Sequence, residues 1–495
     1  MRTFEIILLL LVTLLPFVKR PLARQIPSSY LLLSLGGVLA VHLLLEGWRW
    51  QMIPAYFLTL LLAWRIQAVD ATQPTRLSIP RALGFVGVSL LILIGWVLPM
   101  VLPVFSLPAP TGAFQVGSKM IHLQTELDET ITQDPSDNRE LMLKVWYPSE
   151  ADVSSHKSEL YVDDASRAGF ATKYGLPPSA LNYLDRVETY VFPDIPVAAG
   201  SFPVLLFSHG YGSKASGYYA LLTEIASQGY VIINMNHTYE SLGTTFPDGR
   251  QTYFDYGFQQ EISAGAMDVV GPIIEAFKKG LSFEQRHPIV QKAVQDYFEG
   301  HIQDRWAADM IYTLNLLQEW NAEGWLKGKL DLSKIGVLGH SVGGGTAGKV
   351  AMLDKRVQAA VNLDGIQWGN KIDTTYQVPY LYVSADWPAE HEDINGHIYY
   401  KKSTDYFYET KLLQSGHPNF MDIPFMIPVN TLSGSGSIDP YAGTEIVAQL
   451  VTSFFDRHLK ELPGANPATI SDRYELLEMK VHPGDSIGKL SSKVH

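Results

Sequence analysis

The opening part of the chain is dominated by uncharged apolar sequence, more than an ordinary water-soluble core can house. Three stretches, 28–45, 50–64 and 82–104, contain no Asp, Glu, Lys or Arg. A bilayer core takes roughly 20 apolar residues as helix, and the last stretch meets that length easily. The middle one is short, but Arg49 and Arg65 can snorkel, and Trp48, Trp50 and Trp64 suit a membrane interface. A fourth, weaker stretch covers residues 6–18. The polar break after it, Lys19-Arg20-Pro21, lacks the small-residue pattern of a cleavage site, so it is expected to be retained as a first span. Lys19, Arg20 and Arg24 fill one loop, and Arg65, Arg76 and Arg81 another. The positive-inside rule puts both loops in the cytoplasm. The expectation is an all-α transmembrane unit of three or four helices with its exit linker over 1–111. It would sit in the cell membrane, with the rest of the chain on the extracytoplasmic side. No evident charge pair lies within these stretches, which disfavours a transporter role.

Charge divides the chain at nearly the same place. Residues 1–117 carry 8 basic and 3 acidic side chains, whereas the remainder carries 30 and 47. So acidic a body lacks the basic footprint that nucleic acid requires. Cysteine is absent, which excludes disulfides, thiolate nucleophiles and Cys-ligated metal centres. From about Phe114 the pattern changes to short apolar runs between longer mixed stretches. Residues 114–123 and 142–147 read as early antiparallel strands. Residues 203–207, 231–235, 335–338, 357–363 and 378–383 read as buried strands, with helices such as 218–228 and 305–320 between them. Such alternation predicts a mainly parallel sheet with helices on both faces over 112–460. A polar tail, 461–495, is assigned no role.

Chemistry concentrates at Gly339-His340-Ser341-Val342-Gly343. This G-x-S-x-G follows a strand and opens a stretch of small residues, the setting of a nucleophile elbow. A serine hydroxyl needs a base to accept its proton. His417 lies after the later strands and before the terminal helix, in the order nucleophile, acid, base. His391, His397, His458, His482 and His495 compete less well by position. Two residues can serve as the acid: Asp364 ends the 357–363 strand, and Asp386 follows the next one. The later position is the more usual for an acid, yet pattern alone leaves both open. The oxyanion donors are expected to be the N–H of Val342 and that of Tyr211, in the loop Ser208-His209-Gly210-Tyr211-Gly212. There His209 is expected to shape the loop rather than to move protons. No metal-ligand spacing or phosphate loop is present, and no cofactor is expected.

Three blocks carry a resemblance: Phe207–Gly212 (FSHGYG) with Asn236-His237, Gly339–Gly344 (GHSVGG) with Leu363-Asp364-Gly365, and His417-Pro418-Asn419-Phe420-Met421-Asp422. They resemble the type II platelet-activating-factor acetylhydrolases over about 113–460. The resemblance implies an α/β-hydrolase fold, a Ser341–His417–Asp364 triad with Asp386 in reserve, and an acyl-enzyme route. It leaves the membrane unit uncovered. The expected function is a membrane-anchored serine ester hydrolase acting on a small-molecule or lipid ester. Polyester hydrolysis, acyl transfer on the same triad and an inactive scaffold are the alternatives. Trp368, Trp387, Phe420 and Phe425 are candidates either for an acyl pocket or for the core. Residues 259–303 are expected to form a helical cap or lid.

Overall fold

The computed structural model describes residues 1–17, 26–68, 79–369, 375–387 and 405–483, and the chain divides into two compact units. The first unit holds the helices Thr3–Leu14, Ser28–Val41 (continued as a π-turn to Glu46), Ile53–Ala68 and Ile79–Val101. Its interior is small: Leu8, Leu9, Val12, Leu35, Met52, Ala55 and Leu58 are buried. The outward residues are also apolar, with Leu33, Leu44, Leu60, Trp64, Leu83, Phe85 and Leu93 each more than half exposed. Apolar surface left in water costs about 25 cal/mol per Å², so an exterior of this kind is unfavourable in water. Two helices, Ser28–Glu46 and Ala82–Val101, are long and apolar enough to cross a membrane, while Thr3–Leu14 is shorter.

One end of this unit carries ion pairs. Arg49 grips Glu5 with two hydrogen bonds of 2.6 and 2.7 Å and donates a third to the Leu102 carbonyl. His42 joins Glu46 and Tyr56 at 2.9 and 2.8 Å. These groups sit at helix ends, which is why the apolar stretches themselves read as uncharged. The boundary falls at Ser106 rather than at residue 111, and Ser179–Val187 and Phe425–Val429 group with the helices. The Trp50 indole donates to the Ala180 carbonyl at 2.7 Å, and Phe425 stacks on Phe105. Residues 112–460 are therefore not a self-contained block. Lys19, Arg20, Arg24 and Arg76, on which the topology was read, lie outside the described residues, as does the side chain of Arg81.

The second unit is built on a ten-stranded sheet ordered β12-β11-β10-β9-β8-β4-β5-β2-β1-β3. The expected early hairpin is β1 (Gln115–Asp128) with β2 (Asn138–Ser149), paired antiparallel; β3 (Val191–Pro193) flanks β1. β4 (Phe202–Ser208), β5 (Val231–Met235), β8 (Leu330–His340), β9 (Val357–Leu363), β10 (Tyr380–Ser384) and β11 (Tyr406–Leu412) run parallel. β4 and β5 are buried along their whole length, which explains their near-continuous apolar sequence. A two-stranded hairpin, β6 (Gly243–Thr245) and β7 (Gln251–Tyr253), stands apart from the sheet.

Sequence reading missed five strands: the three-residue β3, β6 and β7, and two longer ones near the end of the chain. β11 reads Tyr-Phe-Tyr-Glu-Thr-Lys-Leu, and because it is only partly buried it lacks the continuous apolar run that marks the central strands. β12 (Leu477–Pro483) lies inside the expected polar tail and pairs antiparallel with β11, so the tail contributes an edge strand. The segment expected to be helical folds as Tyr256–Ile262, Ala266–Lys278 and Phe283–Asp296, leading into the long helix Glu299–Ala322.

Candidate active site

Ser341 stands where β8 ends and the helix Val342–Leu353 begins. Its backbone is left-handed (φ +58°, ψ −126°), a conformation that costs an L-residue on the order of 1–3 kcal/mol. The turn is held by its surroundings: the Ser341 N–H donates to the Leu363 carbonyl at 2.9 Å, and the Ser341 carbonyl accepts from Gly344. The helix then passes very close to the sheet. A Cβ at Gly339 would sit 2.2 Å from the Gly343 carbonyl, and one at Gly343 would sit 2.2 Å from the Ser208 carbonyl. Glycine is therefore required at both places, the steric reason for the motif.

The two acid candidates separate cleanly. Asp364 is fully buried at the end of β9, and its Oδ2 accepts from His417 Nδ1 at 2.6 Å. Its other oxygen accepts from the Ala385 N–H and the Trp387 indole at 2.9 and 2.8 Å. Asp386 instead accepts from the Gln414 N–H at 2.8 Å and donates its own N–H to Ser415, which braces the loop ahead of His417. His417 is 34% exposed while Asp364 is closed off, so the imidazole can be reached and its carboxylate partner cannot. His340 joins the elbow to the base, donating from Nε2 to the His417 carbonyl at 3.1 Å with the rings 4.4 Å apart. Of the competing histidines, His458 pairs with Tyr408 among aromatic rings, where burial lowers its pKa to about 4, and His482 pairs with Glu409. His391, His397 and His495 lie outside the described residues.

The loop after β4 approaches from the other side. A Cβ at Gly210 would be 3.3 Å from the Ser341 Cβ, so this loop runs close against the Ser341 side chain. Val342 is the first residue of its helix, so its N–H has no preceding turn to bond. Tyr211 packs with Val342, Ile302 and Trp306. His209 is buried and bonds within the loop, and burial holds its pKa down to about 3. It is thus a neutral group that shapes the loop.

Several residues around the site gave no signal of their own in the sequence. Tyr218 accepts from the Gly210 N–H at 2.9 Å and meets His340 Nδ1 at 3.0 Å, so one hydroxyl ties the loop after β4 to the strand-to-helix turn. Asn419 accepts from the Gly416 and Gly436 N–H groups, both at 2.8 Å. Asp422 accepts from the Tyr219 and Ala220 N–H groups, capping the helix Tyr219–Ser227, and burial pushes its pKa up to about 6. Asn419 and Asp422 both belong to the His417–Asp422 block that carries the family resemblance, which named them without showing what they hold. Burial also pushes Glu299 up to about 7, beside Trp368 and within the field of His417. Of the four aromatic candidates, Trp387 serves the acid, Phe420 packs near His340, Trp368 packs on Tyr297 and Phe425 belongs to the helical unit.

A serine on a strained strand-to-helix turn, above a mainly parallel sheet, defines an α/β-hydrolase. Within that class the chain belongs to the family of platelet-activating factor acetylhydrolase, isoform II, whose model matches residues 101–466. The match leaves most of the helical unit outside. The platelet-activating factor acetylhydrolase of Cavia porcellus is 25% identical over 383 residues, covering 72% of this chain and 78% of its own. A probable 1-alkyl-2-acetylglycerophosphocholine esterase of Arthroderma benhamiae is 23% identical, covering 68% and 82%. Among solved structures, a ferulic acid esterase from Streptomyces cinnamoneus superposes with a TM-score of 0.58 at 24% identity, over 76% of this chain and 99% of its own, and shows the shared fold. These relatives are carboxylic ester hydrolases, and the chain is an enzyme of that class.

Proposed function

We propose that the protein is a membrane-anchored serine esterase that removes a short acyl group from a lipid-like ester through an acyl-enzyme. The observation that carries this is the 2.6 Å bond from His417 Nδ1 to a buried Asp364; the strained Ser341 is joined to the same strand end by its N–H to Leu363, and its neighbour His340 bonds the His417 carbonyl. His417 takes the Ser341 proton on Nε2 as Oγ attacks the ester carbonyl. Asp364 stays ionised, keeps the ring in the Nδ1–H tautomer and stabilises the imidazolium. The N–H groups of Tyr211 and Val342 receive the developing oxyanion. Collapse expels the alcohol, which takes the proton from His417. Water then attacks the acyl-enzyme by the same path and frees the acid and Ser341. No step calls for a metal or cofactor.

The acyl-size and lipid reading draws on the relatives' named substrates. Membrane anchoring draws on the exposed apolar face of the helical unit and its two span-length helices. Leu8, Leu9 and Val12 are core residues of that unit, which favours retention of the first helix over its removal. The test is an ester panel, from short acyl chains to phospholipids, run on the full chain in detergent with Ser341→Ala as control. Hydrolysis of short-acyl esters that disappears in the variant is expected; hydrolysis surviving in Ser341→Ala rejects the nucleophile. Release of the native chain from membranes by alkaline carbonate would reject the anchor.

A further inference from the structure

The fold contains a second Ser–His–Asp array. Ser208 Oγ meets His237 Nε2 at 2.9 Å, and His237 Nδ1 meets Asp309 Oδ2 at 2.8 Å. The distances suit a catalytic triad, but all three residues are fully buried and no ester can reach them. Asp309 is held in turn by Arg139 through bonds of 2.6 and 2.8 Å, and the His237 ring lies flat on Trp306 at 3.9 Å. Burial thus excludes chemistry here, and the array acts as a rigid support under the loop that follows β4.

The support has a specific output. The His237 backbone N–H donates to His209 Nε2 at 3.2 Å. A backbone N–H can only donate, so Nε2 is an acceptor and the proton of this neutral imidazole sits on Nδ1. His209 Nδ1–H then donates to the Gly210 carbonyl at 2.7 Å. The same oxygen accepts from the Ser213 N–H at 3.0 Å. Two donors on one carbonyl fix the plane of the Gly210–Tyr211 peptide. In a trans peptide the carbonyl and the following N–H point to opposite sides. Pinning the Gly210 oxygen therefore aims the Tyr211 N–H away from the support.

We propose that His209 is a positioning residue: fixed in its Nδ1–H tautomer by the His237 N–H, it orients the Gly210–Tyr211 peptide so that the Tyr211 N–H serves as an oxyanion donor. This rests on the ester-hydrolase reading of the site and adds the device that sets the oxyanion hole. Asparagine at 209 would carry an amide N–H near the place of Nδ1, glutamine near the place of Nε2, and leucine neither.

The test compares His209→Leu, His209→Asn and His209→Gln in the full chain in detergent. The readouts are kcat and KM for a chromogenic acetate ester, the rate of fluorophosphonate labelling, and affinity for an alkylboronic acid that forms a tetrahedral adduct. Deleting an oxyanion donor outright costs about 10²–10³ in kcat; with the Ser213 bond remaining, His209→Leu is expected to lose roughly 10- to 100-fold. KM should stay near the wild-type value, while labelling and boronic-acid affinity fall in step with kcat. His209→Asn should recover most of the loss and His209→Gln little. If leucine leaves kcat unchanged, or if asparagine is as impaired as leucine, His209 has no orienting role. Should His209→Leu fail to fold, the order of asparagine above glutamine decides the matter. Failure of the underlying reading looks different: Ser341→Ala would then keep the activity whatever residue stands at 209.

Discussion

At the scale of single residues, the site turns on what each carboxylate touches. Asp364 holds His417 Nδ1, and Asp386, among the described residues, holds the backbone N–H of Gln414. Asp364→Asn should therefore lower kcat by about 10³ or more, by favouring the wrong imidazole tautomer. Asp386→Asn should retain activity within about a factor of ten, since an amide oxygen can still accept that N–H. Assayed side by side in ester hydrolysis, the reverse ranking would move the acid to Asp386. His340 gives a prediction of another kind. Burial, with the neighbouring His417, holds its pKa well below the ordinary value, so it is neutral in the folded chain. A histidine that is neutral when folded but ionises near 6.5 when unfolded adds stability above that pH, and this is lost as the pH falls. His340→Gln removes that dependence. The stability gap between wild type and variant should thus narrow on acidification, by up to about 1.4 kcal/mol per pH unit below 6.5. Denaturant melts at several pH values measure it, and a constant gap would show that folding leaves the His340 pKa unshifted.

At the scale of elements, the loop carrying His417 is anchored at both ends. Asn419 clamps Gly416 and Gly436, and Asp422 caps the helix Tyr219–Ser227. Asp422→Ala should cost about 1–2 kcal/mol in thermal or denaturant unfolding, the usual loss for an N-cap. It should reduce activity only through the fraction folded; a kcat lowered at full folding would give Asp422 a part in holding His417. The strand-to-helix element containing Ser341 was legible in sequence because its requirement is steric and local. The bracing around it was not, because Tyr218 reaches His340 from far along the chain and nothing near either residue marks the pairing.

At the scale of the molecule, the boundary between the two units does not follow the chain. Ser179–Val187 and Phe425–Val429 group with the helices, and Leu181, Tyr183, Leu184 and Phe425 are buried. A chain starting at Leu107 removes the helices and is expected to bare these residues. It should aggregate or melt lower than the full chain in detergent, as gel filtration and thermal unfolding would read. Normal behaviour of that fragment would show that those segments need no helical partner.

Some features belonged to the sequence alone. Apolar stretches without charge mark helices whose outward faces are apolar, and alternation of buried runs with helices marks a mainly parallel sheet, because both follow from local composition and period. The elbow was equally plain, since only glycine satisfies its close approaches. The preference for Asp364 came only by resemblance; a loop-shaping part for His209 was expected, but the partners that hold it, the His237 N–H and, behind it, Asp309, were not. His209, His237 and Asp309 lie tens of residues apart, and hydrogen bonds between them exist only once β4, β5 and the helix Glu299–Ala322 have been packed side by side. Short-range sterics are written residue by residue along the polymer, whereas proton placement in a buried network is decided by neighbours that folding alone supplies.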